Sequence, residues 1–119
     1  MTGLEVIKQA MLLLNYTDDS GRVDSRVAGA AGARGLAVLN QVLADVWFAE
    51  KRGPFVPLTD VAASLPVSDR TCSDVLPYGV AMLLAQGEGD GDNQSTFAAI
   101  YNQKRSALTY VERRCNALP

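Results

Sequence analysis

The chain has 119 residues, 48% of them hydrophobic, a length suited to one domain that buries roughly two-thirds of the surface exposed when unfolded. Its apolar content is chiefly Ala, Leu and Val, with only 7% aromatic residues, a composition that favours packed helices. A net charge of −2, from 13 acids and 11 bases spread along the chain, argues against gripping a polyanion, and no run approaches the ~18 apolar residues of a membrane span.

Thr2 and Glu5 form a capping box, so a first helix is predicted over residues 3–14. Leu4, Ile7, Met11 and Leu14 recur at the spacing of one helical face, with Glu5, Lys8 and Gln9 off it. Those polar residues also interrupt the apolar run that a signal peptide would need. Asn15 to Gly21 is turn chemistry and ends the helix.

Residues 26–51 read as a second helix, loosened at its start by Gly29, Gly32 and Gly35, each costing about 1 kcal/mol relative to Ala. Leu36, Leu39, Asn40, Leu43, Val46 and Trp47 form its expected inward stripe, and Gly53-Pro54 its stop. Residues 54–73 form a long crossover in which Pro54, Pro57 and Pro66 break periodicity, leaving room for one short β-hairpin. A connection of about 20 residues is long for a compact domain. It reads either as a partner contact or as a lap packed over the helices.

A third helix is predicted over 74–87, capped by Ser73 or Asp74 with Pro77 in its first turn and Leu76, Val80, Leu83 and Leu84 inward. The acidic, glycine-punctuated turn Gly87 to Asn93 leads to a fourth helix over 93–114, capped by Asp92 or Asn93. Phe97, Ile100, Tyr101, Lys104, Leu108 and Val111 share its inner face, Lys104 by its stem alone. The fold class is therefore all-α: one four-helix domain over 1–119 with a C-terminal αα-hairpin and one irregular crossover.

Little in the chain points to chemistry. Glu88, Asp90 and Asp92 alternate like the start of a calcium loop, but position 6 would be Asn93 and position 12 Ala99, where glycine and a bidentate acid are needed. The glycines at 29, 32 and 35 follow no phosphate-binding spacing, and Arg34 alone does not supply one. Cys72 and Cys115 have no histidine partner, so neither a metal site nor a cysteine nucleophile is expected, and both read as reduced thiols of a cytoplasm. No enzymatic activity and no cofactor are expected.

The basic pairs Lys51-Arg52, Lys104-Arg105 and Arg113-Arg114 suit helix C-termini, or contacts with an acidic neighbour. Trp47 and Phe48 point about 100° apart on a helix, so only one can face the core. Phe48, Phe55, Val56, Leu58, Arg105, Arg113 and Arg114 are the candidate partner-contact residues.

The segment Leu76-Pro77-Tyr78-Gly79-Val80-Ala81-Met82-Leu83-Leu84-Ala85, the acidic turn, and Phe97 to Arg105 together resemble the last two helices of head–tail connector (adaptor) proteins of tailed bacteriophages and prophages. Leu39-Asn40-Gln41-Val42-Leu43-Ala44-Asp45-Val46 is similar to that family's second helix, and the crossover ending Ser64-Leu65-Pro66 follows its pattern. The resemblance covers mainly Leu36 to Arg105, about 60% of the chain, and carries over no invariant site residue.

The resemblance implies a structural virion protein, made in the host cytoplasm and placed at the head–tail junction. Such proteins self-associate into a ring beneath the portal protein, extend the DNA channel and dock tail or stopper proteins. Genomic DNA would slide through without specific binding, which suits the near-neutral charge. The crossover is then the expected assembly element, and the fourth helix with its tail the expected portal-facing one. Two rivals stay open: a small helical adaptor or regulatory protein, and a DNA-binding helical domain.

Overall fold

The computed structural model describes residues 1–15, 33–50 and 53–117, the side chains of 33, 48–50 and 109–117 excepted. Four long helices and one short helix follow in order: α1 (Gly3–Leu14), α2 (Ala33–Glu50), α3 (Asp69–Asp74), α4 (Leu76–Gly87) and α5 (Gly91–Ala117). Among the described residues there is no strand, and the domain is all-α.

The capping box forms as its spacing requires: the Thr2 hydroxyl accepts from the Glu5 N–H at 3.2 Å, and the Glu5 carboxylate accepts from the Thr2 N–H at 3.3 Å. Asn15 closes α1 in the left-handed region at φ 60°, its N–H reaching the carbonyls of Met11 and Leu12. Ile7, Met11 and Leu14 are buried as expected, with Val6 and Ala10 beside them, while Leu4 lies at the edge. The buried face is wider than a single stripe because α1 packs on both α4 and α2.

In α2 the buried apolar side chains are Val38, Leu39, Val42, Leu43 and Val46, while Leu36, expected inside, is half-buried. Asn40 and Trp47, expected inside, flank this stripe and turn their polar groups to the crossover instead. Residues 26–32 and 51 of the predicted second helix, Gly29 and Gly32 among them, lie outside the described residues. Gly53 adopts φ 106°, a conformation that L side chains rarely take, so a glycine suits this exit to Pro54.

The crossover departs from expectation in two ways. No β-hairpin forms within it. Its backbone bonds the chain's own start: the N–H groups of Gly3 and Leu4 donate to the carbonyls of Ala63 and Val61, and the Leu65 N–H donates to the Met1 carbonyl. One antiparallel bridge, Thr2 with Ser64, is all the β pairing that results. The three prolines remove donors that a hairpin ladder needs, so the partners come from outside the crossover.

The crossover is also shorter than predicted, because Ser68, not Ser73 or Asp74, starts the next helical segment. The Ser68 hydroxyl accepts from the Thr71 N–H at 3.2 Å, and Asp69 in the first turn suits the positive helix end. Pro77 has no N–H to offer the Ser73 carbonyl, so the ladder breaks at Val75 (φ −113°, ψ −53°) and α4 starts afresh at Leu76. At the hairpin turn Asp90, not Asp92 or Asn93, caps α5, accepting from the Asn93 N–H at 3.3 Å.

The hairpin helix α4 is the centre of the domain. Its twelve residues carry no charge, and it packs against α5, α1 and α2. A helix apolar on most sides must be surrounded. Leu76, Val80 and Leu84 are fully buried, each contributing about 1.5–3 kcal/mol before ordering entropy is counted. Gly79 lets three helices converge: a Cβ there would lie 2.6 Å from Val42 Cγ1 on α2 and 2.7 Å from Tyr101 Cε1 on α5.

Candidate functional site

Polar pairs on three acids, and one backbone clamp, tie the helices together. Tyr101, buried on α5, donates its hydroxyl to Asp45 Oδ2 on α2 at 2.5 Å, and Arg105 Nε meets the same oxygen at 2.8 Å. Burial first, then the hydrogen bond and charge of Asp45, push the Tyr101 phenol far above its ordinary value, with Arg105 opposing. The phenol therefore stays protonated and donating, which suits a cross-tie rather than an acid–base catalyst.

Lys104 Nζ lies 2.7 Å from Asp74 and 4.8 Å from the centre of the Tyr78 ring, so its charged head, and not its stem alone, binds α5 to the α3–α4 junction. Arg34 pairs with Glu88 at 2.9 Å and covers Gly87, where an added Cβ would sit 1.0 Å from its Nη2. The acidic turn thus uses Glu88 in an ion pair and Asp90 in a helix cap. Among the described residues no three His, Cys, Asp or Glu side chains are grouped to hold a metal ion, and no helix is long and apolar enough to cross a membrane.

The clamp is Asn40. Its side-chain oxygen accepts from the Leu58 N–H at 2.8 Å and its NH₂ donates to the Leu58 carbonyl at 2.9 Å. It supplies both bonds that a neighbouring strand would have given this segment. The Trp47 indole N–H donates to the Gly53 carbonyl at 3.2 Å, and its ring meets Phe55 with centroids 5.8 Å apart.

These contacts divide the candidate residues. Phe55 and Leu58 are partly buried against the core, while Val56 between them is 73% exposed. Arg105 stands on α5, paired with Asp45. The side chains of Phe48, Arg113 and Arg114 lie outside the described residues. The crossover thus presents Val56 outward on a fixed mount.

Two surface features lie beyond those residues. A cleft of about 460 Å³ opens between α3 and α5, lined by Arg70, Thr71, Asp74, Val75, Lys104 and Leu108 among others. A shallower groove of about 240 Å³ runs beside Leu12, Leu13, Pro77 and Tyr78, with Leu12 62% exposed. The run Met11 to Leu14, four apolar residues on successive sides of a helix, signals the second, since one face cannot bury all four. Nothing signals the first, which exists only because α3 forms.

No protein-family model matches the chain, no curated protein matches its sequence, and no solved structure matches its fold.

Proposed function

We propose that the protein is a structural subunit of a tailed-phage or prophage head–tail connector. The observation that carries this reading is the convergence at Gly79. The three segments that resemble connector helices, Leu39–Val46, Leu76–Ala85 and Phe97–Arg105, meet there through Val42, Gly79 and Tyr101. They pack on one another as one contiguous unit. The pairs Tyr101–Asp45 and Lys104–Asp74 brace the same unit.

On this reading the protein performs no reaction. Its work is to hold a shape, self-associate as a ring, and offer surfaces to the portal protein on one side and to tail or stopper proteins on the other. DNA passes through the ring, and a chain of net charge −2 offers it little to stick to. The clamped crossover, with Val56 outward, is the surface assigned to assembly.

Co-sedimentation with any portal protein encoded beside it tests the reading. Binding is expected for the whole chain and is expected to survive high salt better than a DNA contact would. Absence of binding, together with salt-sensitive retention on duplex DNA, would instead favour a DNA-binding domain.

A further inference from the structure

Val56 is the most exposed large apolar side chain among the described residues, and its surroundings are built to keep it there. Asn40 fixes Leu58, Trp47 meets Phe55, and the Asp60 carboxylate closes the next turn by accepting from the Ala62 N–H at 2.9 Å. An apolar side chain on an ordered mount binds without a large ordering cost. The chain's own core takes in Phe55 and Leu58 and leaves Val56 out.

The cleft between α3 and α5 is the complementary feature. Its apolar lining comes from Val75, Ala107 and Leu108, and its volume of about 460 Å³ has room for an aliphatic side chain and its neighbours. Its charges do not balance internally. Lys104 is paired with Asp74, which leaves Arg70 at the cleft with no acidic partner among the described residues. Asp60, four residues after Val56, makes no ion pair among the described residues either, and one of its oxygens remains open.

We infer that Val56 of one copy seats in the α3–α5 cleft of a second copy, with Asp60 of the first set against Arg70 of the second. Knob and cleft are different surfaces of one chain, so the contact is head-to-tail, and it builds a ring where the rotation from copy to copy closes. This inference rests on the connector reading and names the contact that would build its ring.

Val56→Cys and Leu108→Cys chains, each also carrying Cys115→Ser, are mixed under mild oxidation, alone and with the portal protein. A disulfide-linked pair is expected from the mixture and not from either chain by itself. Val56→Asp is expected to weaken self-association at least about tenfold. Arg70→Asp or Asp60→Arg alone should weaken it up to about fivefold, and the double swap should restore it. Residues 56, 60 and 70 are exposed, so these variants leave the core untouched, although Asp60→Arg also gives up the bond to the Ala62 N–H.

Assembly without the cross-link and without charge-swap rescue would overturn the inference and leave the connector reading standing. A cross-link from Leu108→Cys to the portal protein, in place of the second copy, would do the same. A chain that stays monomeric both alone and with the portal protein would overturn both.

Discussion

Asn40 holds Leu58 by both of its backbone groups, at 2.8 and 2.9 Å, across a sequence separation of 18 residues. One polar side chain on α2 thereby fixes the middle of a crossover that has no regular structure of its own. The mount for Val56, the strand-like contacts near Thr2 and the packing of Phe55 all depend on where that crossover lies.

Replacing Asn40 tests this directly. Asn40→Ala leaves a half-buried N–H and carbonyl without partners and should cost about 1–3 kcal/mol, read as a lower urea midpoint. Asn40→Asp keeps the acceptor for the Leu58 N–H but sets a carboxylate oxygen against its carbonyl, so it should not restore stability. Limited proteolysis should cut both variants earlier within residues 53–66.

Gly79→Ala sets two effects against each other. Alanine gains about 1 kcal/mol of helix propensity, yet its Cβ meets Val42 and Tyr101 at 2.6–2.9 Å on two helices at once. Overpacking of a close-packed core costs about 1–3 kcal/mol, and the clash should win. A lower urea midpoint with an unchanged slope is expected, and a raised midpoint would show that the helices can part freely.

The Tyr101 phenol gives a pH dependence with a definite sign. Its native-state pKa lies above the unfolded value of 10.0, so the native state holds the proton more tightly. That contribution is fully present below about pH 10 and is lost as the pH rises through the native value. Stability should therefore fall above pH 10 in wild type. Tyr101→Phe should be less stable at pH 7 and show a shallower alkaline decline.

Gly87→Ala should displace the Arg34 guanidinium and break its pair with Glu88. Both side chains are about one-third exposed, so the loss should stay near or below about 1 kcal/mol and shrink in high salt. Thermal melts of the variant at low and high salt check both features.

The long helices were readable because local signals fixed them. Thr2 and Glu5 announced α1, and the apolar spacing of Leu39, Leu43 and Val46 announced α2. The short helix α3 was not, since its cap at Ser68 sits between Pro66 and Pro77 in a stretch whose prolines argue for extended chain. With α3 went the cleft and Arg70. Nor could spacing foresee pairs such as Tyr101 with Asp45 or Arg34 with Glu88, separated by 56 and 54 residues, which follow from how helices are stacked. Asn40 shares a face with Leu36 and Leu43 and so reads as core, while its two hydrogen-bonding groups require a polar partner, which the crossover supplies.

Native mass measured by light scattering over a wide concentration range, with and without any co-encoded portal protein, tests the proposed connector role most directly. The account predicts a closed, high-order ring, formed by the chain alone or on the portal. A strict monomer or dimer that also ignores the portal would contradict it and point to a small helical adaptor.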